Sequence, residues 1–218
     1  MLSRLLQLVF LLVLGHFSAH ARSENRKEYE LGSVGKGAVV GSYYNTYNYV
    51  VETVGRRSNL VIVRDKSFVS SLGNYKSWVR LDAPHGNVNY HHLNINPAVT
   101  GVPDPHTWIP KPIATAASGI GKTMEYANKV APVLFAASVA YDSKQVYDTY
   151  QKDPKEGVIQ AATTASRYAM SFKGCSIGAS VGTAIMPGVG TLVGSVVGSI
   201  GGATVSTVFE PFIRAVFN

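Results

Sequence analysis

Histidines concentrated in one short stretch are the residues of this chain best suited to chemistry. Imidazole changes charge near neutral pH, so it carries protons in catalysis and is a common metal ligand. Two of the six histidines lie in the first 21 residues, and the other four fall between residues 85 and 106: His85, His91, His92 and His106. The same region adds a cation and two carboxylates: Arg80, Asp82 and Asp104.

Two predicted strands, residues 78–82 and 91–96, flank this stretch and alternate polar with apolar side chains. Because successive side chains of a strand point to opposite faces, pairing of the two strands as a hairpin would bring their polar faces together. His91 shares a face with apolar neighbours, so we expect it to be half-buried. The predicted polar face carries Arg80, Asp82, His92, Asn94 and Asn96, with His85 in the connecting loop.

A face with this composition could cleave RNA without a metal. Arg80 can hold a phosphate through two hydrogen bonds, and His85 and His92 can move protons to and from the ribose hydroxyl and the leaving oxygen. The 2′-hydroxyl of RNA is already the nucleophile, so no cofactor and no metal is required.

Two alternatives remain open for these residues. The polar face could simply be solvated. Zinc is the other alternative, with nitrogens from His85, His91 or His92, and His106 and an oxygen from Asp82 or Asp104. Because His91 and His92 point to opposite faces, only one of the two could reach such a metal.

The first 21 residues predict a cleaved signal peptide, and therefore a secreted, extracellular protein. Arg4 supplies a positive n-region, residues 5–14 an apolar h-region, and residues 19–21 (Ala-His-Ala) a peptidase site. The net charge of +7 makes the chain basic, which suits RNA or an anionic membrane as partner. The single cysteine, Cys175, excludes a disulfide scaffold and a cysteine zinc cluster.

Residues 22–111 are predicted to form an antiparallel sheet domain that positions the His/Asp/Arg cluster. Aromatic and β-branched residues predict strands over residues 37–51, 59–64, 75–82 and 90–96, which together make four or five strands. Prolines around residues 101–112 predict an ordered loop or linker after the sheet.

Residues 112–218 are predicted to be helical. Apolar residues at helical spacing cover residues 113–150, where Pro132 should start or kink a second helix. Asp153 followed by Pro154 is typical of a cap and first turn that open another helix.

A glycine-zipper hairpin is predicted over about residues 174–208. No charged residue occurs in the 36 positions between Lys173 and Glu210, and glycines recur every four residues on either side of residues 186–188 (Met-Pro-Gly). Glycines at this spacing share one helical face, where a second helix can approach closely. Either the protein itself or a lipid bilayer must enclose the hairpin. The expected packing residues are Gly178, Gly182, Gly190, Gly194, Gly198 and Gly202.

Residues 78–86, 92–97 and 104–107, with their strand and histidine pattern, resemble the core of C-terminal toxin domains of bacterial polymorphic toxin systems, some of which are RNases. The hairpin turn at residues 185–190 is similar to segments that accompany such toxins. The resemblance implies that Arg80 binds phosphate, that His85 and His92 act as acid and base, and that Asp82 is an orienting carboxylate. The long helical tail departs from a compact RNase domain.

The sequence thus predicts an α+β protein in which a small N-terminal antiparallel sheet precedes an all-helical part with a glycine-zipper hairpin. The expected function is that of a secreted, toxin-like effector with metal-independent ribonuclease activity. The alternative is a non-enzymatic, membrane-active effector or host-defence protein whose hairpin inserts into a bilayer. A structural or binding protein is a third class. The sequence leaves the oligomeric state open.

Overall fold

The computed structural model describes residues 26–53 and 58–217. The predicted signal peptide, residues 1–21, lies outside the described residues. In chain order the elements are α1 (Arg26–Asn48), β1 (Tyr49–Glu52), β2 (Asn59–Val69), β3 (Tyr75–Asp82), β4 (His92–Ile95), α2 (Pro97–Thr100), β5 (Thr107–Trp108), α3 (Lys111–Lys152), α4 (Pro154–Ile185) and α5 (Val189–Phe217).

Five antiparallel strands form one sheet in the order β1-β2-β3-β4-β5, so each strand pairs with its neighbour in sequence. Gly73, with a φ of 79°, makes the tight turn between β2 and β3. The sheet followed by long helices confirms the predicted α+β class.

The predicted strand over residues 37–51 is wrong for most of its length. Residues up to Asn48 are helical, and only Tyr49–Glu52 form a strand. Two tertiary contacts favour the helix over local β propensity. A Cβ atom on Gly37 would lie 2.6 Å from the Cα atom of Ile200, so the two backbones touch. Further along, the buried Asn45 donates a hydrogen bond to the carbonyl oxygen of Leu192 at 2.9 Å.

The packing of Cα atoms divides the chain into two compact units, here called the sheet unit (residues 42–133 and 177–195) and the helical unit (residues up to Gly41, 134–176 and from Val196 onward). This division cuts through α1, α3, α4 and α5. The sheet unit therefore contains the tip of the helical hairpin as well as the strands.

The core of the sheet unit lies between the strands and that hairpin tip. Gly188, with a φ of 82°, ends the turn between α4 and α5, and a Cβ atom there would lie 3.2 Å from Val79. The buried apolar residues are Val51, Val61, Val63, Val79, Leu81, Leu93, Ala114, Ala117, Val189 and Leu192. This core holds β3 and β4, the strands that carry the histidine cluster.

The helical unit is joined by a polar network. Lys36 on α1 pairs with Asp142 on α3, and the hydroxyl of Tyr168 on α4 donates to the same carboxylate at 2.9 Å. Burial lowers the pKa of Lys36, while Asp142 opposes that shift. Arg214 on α5 pairs with Glu156 on α4 at 2.8 Å.

The helix boundaries predicted at Pro132 and at Asp153 have different outcomes. Of the two predictions for Pro132, a new helix or a kink, the first is wrong, since α3 continues through this residue from Lys111 to Lys152. Asp153 does cap α4, since its Oδ1 accepts hydrogen bonds from the backbone N–H groups of Lys155 and Glu156.

Helices α4 and α5 form a hairpin in which glycines meet across the interface. In the sheet unit, a Cβ atom on Gly182 would clash with the carbonyl oxygen of Gly190, and one on Gly194 would clash with that of Gly178. In the helical unit, Gly174 meets Gly198 in the same way, and a Cβ atom on Gly202 would clash with the carbonyl of Met170. Each contact requires a residue without a side chain, which explains the four-residue repeat.

Candidate functional site

The pairing of β3 with β4 sets the positions of the predicted site residues. Arg80 lies opposite Asn94 and Asp82 lies opposite His92, in the antiparallel register that the polar alternation predicts. The sheet therefore brings the polar sides of both strands to one place, and the turn after β3 returns His85 to it.

Asp82 is the buried acid of this cluster. It is 1% exposed, and its Oδ2 accepts a hydrogen bond of 2.6 Å from the side-chain amide of Asn94. The same oxygen lies 3.5 Å from Nη2 of Arg80. Its other oxygen, Oδ1, is buried without a hydrogen-bond partner in the part of the chain that the structure describes. A carboxylate oxygen withdrawn from water in this way is available to a ligand.

His92 is fully buried, and its ring has a fixed orientation. Its Nδ1 donates to the carbonyl oxygen of Tyr90 at 2.9 Å, so the proton stays on Nδ1. Nε2, the acceptor nitrogen, is buried and has no partner among the described residues. The ring of Tyr90 meets that of His92 edge-on, with centroids 5.8 Å apart. An unpaired buried nitrogen is costly, which makes His92 the strongest sign of a ligand site.

His85 completes the cluster from the loop side. Its backbone pairs with that of Val88 in both directions, which forms a small closed turn. The Nδ1 of His85 donates to the carbonyl oxygen of Ala83 at 2.9 Å, and this leaves Nε2 as the acceptor, as in His92. His85 is exposed to solvent, so the cluster can be reached from outside.

One ligand atom each from Asp82, His85 and His92 lies within 4.8 Å of the others. Two imidazoles and one carboxylate are donors that zinc and similar ions prefer. In metal sites, the ring nitrogen that does not bind the ion usually donates to a backbone carbonyl, which both histidines already do here. These three residues could hold a divalent metal ion, and Asn94 would orient its carboxylate ligand.

The remaining histidines lie beside this set. His106 is exposed at the rim, and its ring centroid is 5.6 Å from that of His92. Its φ of 45° is held by a hydrogen bond from its backbone N–H to Asp104, whose side chain also accepts from the backbone of Ile95. His91 is half-buried, as predicted, and lies outside the group.

The structure overturns one alternative for this face. A solvated face would expose its polar side chains, whereas Asp82, His92 and Asn94 are each at most 5% exposed. Two residues contribute to the cluster in ways that the sequence does not predict. The sequence places Asn94 on the polar face, and only its alternation with His92 indicates that its side chain can reach Asp82. For Tyr90, the sequence gives no indication of its contact with His92 other than its position next to the histidines.

Helix α5 is the second feature of interest, because it is apolar and partly exposed. It is long and apolar enough to cross a bilayer, and within its most apolar 18-residue stretch only 28% of the residues are buried in the protein. Exposed apolar side chains on it include Val197, Val205, Val208, Phe212 and Val216.

Two segments of the chain are similar to described protein families. Residues 32–127 match the family described as the C13G5.2-like N-terminal domain, and residues 151–209 match the C13G5.2-like glycine zipper domain. The Caenorhabditis elegans relative named "Uncharacterized protein C13G5.2" is 41% identical over 169 residues, which cover 73% of this chain and 48% of the relative. The chain thus spans about half the length of this relative. No solved structure matches the chain. The segment similar to the C13G5.2-like N-terminal domain carries the histidine cluster, and the segment similar to the C13G5.2-like glycine zipper domain contains the glycine repeat.

Proposed function

We propose that the sheet unit binds a divalent transition metal ion, with zinc as the best match, through Asp82, His85 and His92. The observation that carries this proposal is the pair of buried, unpartnered acceptor atoms, Nε2 of His92 and Oδ1 of Asp82, within one three-residue cluster. Leaving such atoms unpaired costs about 1–3 kcal/mol each, and a bound cation removes that cost.

Burial also favours a metal over the metal-free acid–base mechanism expected from the sequence. A general acid or base must reach the proton that it transfers, within about 3 Å or through one water. The His92 ring is 0% exposed and cannot meet a ribose hydroxyl directly. A metal ion held by the same ring can present its open side to a substrate instead. The secreted, toxin-like setting and RNA as a partner remain proposals that rest on the predicted leader and the toxin resemblance.

Zinc titration by calorimetry tests the metal site, using residues 22–218 freed of metal by chelator. We expect one zinc ion per chain. Replacing His85 with Ala should weaken binding by about 100-fold, and because His85 is exposed, this variant should still fold. The matched control is His91→Ala, a neighbouring half-buried histidine outside the cluster, which should bind zinc as the wild type does. Absence of zinc binding, or equal loss in both variants, would overturn the proposal.

A second candidate function is contact with a lipid bilayer through α5. The helix is uncharged from Val189 to Phe209, about 30 Å at 1.5 Å per residue, which matches the hydrocarbon thickness of a bilayer. Its exposed apolar side chains support a lipid surface as the occupant, because they would otherwise face water. The net positive charge of the chain favours an anionic surface.

Flotation with vesicles of phosphatidylcholine and phosphatidylglycerol tests this second candidate. The protein should float with the vesicles, and Val208→Asp should abolish flotation, since Val208 is 63% exposed on α5. The control is Leu72→Asp, which alters an apolar residue that is 85% exposed in the turn between β2 and β3. Protein that stays in the dense bottom fraction, apart from the floating vesicles, at every pH from 5 to 8 would exclude bilayer contact.

A further inference from the structure

We propose that the metal centre, if it binds zinc as proposed above, hydrolyses phosphodiesters and that Arg80 binds the phosphoryl oxygens of the substrate. The inference rests on the proposed metal site and adds a reaction and a substrate class to it. Three features of the cluster carry it: the number of protein ligands, the open side at His85, and the position of Arg80.

The number of ligands points to a catalytic rather than a structural metal site. Structural zinc sites are closed by four protein ligands, whereas catalytic sites use three and leave a position for water. Among the residues that the structure describes, Asp82, His85 and His92 form a set of three, and His106 does not belong to the group of ligand atoms within 4.8 Å. Because His85 is exposed, the open position would lie on the solvent side, where a substrate can enter.

Arg80 gives this open side a preference for anions. Its side chain is 41% exposed, and its Nη2 lies 3.5 Å from Oδ2 of Asp82, which is longer than the 2.7–2.9 Å of a tight charge-assisted hydrogen bond. Five N–H donors are present on a guanidinium, so this one long contact with the described residues leaves donors for two phosphoryl oxygens. A neutral ester or amide would gain much less from this group.

The reaction needs only water as co-reactant. Water in the open position releases a proton to solvent, and the resulting hydroxide attacks phosphorus. One P–O bond forms, the P–O bond to the leaving oxygen breaks, and that oxygen takes a proton from solvent. The products are a phosphate monoester and an alcohol, and nothing is oxidised or reduced. Asp82 and the two histidines stay on the metal, while Arg80 stabilises the charge that develops on the phosphoryl oxygens.

Hydrolysis of bis(4-nitrophenyl) phosphate by zinc-loaded protein, residues 22–218, tests the inference, with neutral 4-nitrophenyl acetate as the comparison substrate. Arg80→Ala should lower kcat/KM for the diester by about 100-fold and that for the neutral ester much less, so the ratio of the two values should fall. Arg80→Lys should recover part of the loss. Arg64→Ala is the matched control, because Arg64 lies in the same sheet and pairs with Glu52 instead.

The outcomes separate this inference from the metal site. Zinc binding without diester hydrolysis overturns the reaction and leaves the proposed function intact. An equal loss of both activities in Arg80→Ala shows that Arg80 is structural and overturns its role in binding substrate. If the protein does not bind zinc at all, both the proposed metal site and the reaction that depends on it are overturned. A labelled RNA strand as a second substrate distinguishes a nuclease from an enzyme limited to small diesters.

Discussion

The imidazole rings of His85 and His92 stack with their centroids 5.0 Å apart, although one residue is exposed and the other fully buried. The stack joins the interior of the sheet unit to its surface. Because both rings keep their proton on Nδ1 through a backbone carbonyl, both have Nε2 available as an acceptor. The buried ring of His92 can therefore bind a ligand at this point, and the exposed ring of His85 leaves the ligand a path to solvent.

The hydrogen bond from Asn94 to Asp82 should control metal affinity as well as stability. Replacing Asn94 with Leu keeps the size of the side chain and removes the donor, which leaves the buried carboxylate without its orienting partner. We expect the free energy of unfolding to fall by about 1–3 kcal/mol and zinc affinity by about 10–100-fold. Denaturant unfolding and calorimetry measure the two effects.

A control separates these two effects. Asn96 caps α2 and donates to the carbonyl oxygen of Ser77, away from the three ligands. Asn96→Ala should therefore lower stability by about 1 kcal/mol without changing zinc affinity. If Asn96→Ala weakens zinc binding as much as Asn94→Leu does, Asn94 has no specific orienting role.

Zinc should raise the melting temperature of the protein, because a ligand that binds only the folded state stabilises it. At a zinc concentration 100 times Kd, the gain is about 2.7 kcal/mol, which corresponds to several degrees for a chain of this size. Chelator should reverse the shift, and His85→Ala should abolish it. His106→Ala should keep the full shift, since His106 is not one of the three ligands. A lost shift in His106→Ala would show that the metal has a fourth protein ligand.

The sequence predicted most of the sheet and the position of the cluster, because both depend on local alternation. Polar residues at every second position of two strands determine which side chains meet once the strands pair, and Arg80, Asp82 and His92 follow that rule. Burial of that face was not predictable in this way. Alternation fixes which residues share a side, whereas the packing of the remaining chain decides whether that side faces water.

Helix α1 shows where local propensity fails. Tyrosines and valines over residues 37–51 favour strands, yet Gly37 and Asn45 are fixed by contacts to residues more than 140 positions away in sequence. Pro132 is a second such case, since α3 accepts a residue that usually ends a helix. The prediction of the glycine-zipper hairpin is confirmed, because a four-residue spacing places the glycines on one helical face where another helix can pack.

Alkaline pH should destabilise the protein through Tyr49. Burial is the largest cause that raises the pKa of this phenol from 10 to about 12, with Tyr44 and Asp65 adding to the effect. The unfolded chain loses the proton near pH 10 and the folded chain near pH 12, so between these values the folded state binds more protons. Stability from this group is therefore complete below pH 10 and is lost as the pH rises toward 12.

Tyr49→Phe tests this dependence. The variant should lose about 1–2 kcal/mol less stability than the wild type between pH 10 and 12, after allowance for solvent screening at this partly exposed site. Spectrophotometric titration should also show one fewer late-titrating phenol in the variant. Tyr47→Phe, which alters a tyrosine that is 73% exposed, is the control and should leave the alkaline stability loss unchanged. Identical pH profiles for the wild type and Tyr49→Phe would contradict the assignment.

Replacing glycines of α5 with alanine should show whether they act through close helix packing or through helix propensity. At Gly194 a Cβ atom would clash with the carbonyl oxygen of Gly178, which is backbone and cannot rotate away. Gly194→Ala must therefore push α4 and α5 apart, at a cost of about 1–3 kcal/mol or more. Gly201 lies on the same helix, and a Cβ atom there would have no atom of the described residues within 4 Å. Gly201→Ala should therefore raise the free energy of unfolding by about 0.5–1 kcal/mol. Thermal unfolding then gives shifts of opposite sign, by about 2–4 °C per kcal/mol. Two shifts of the same sign would mean that the glycines do not act through contact between the helices.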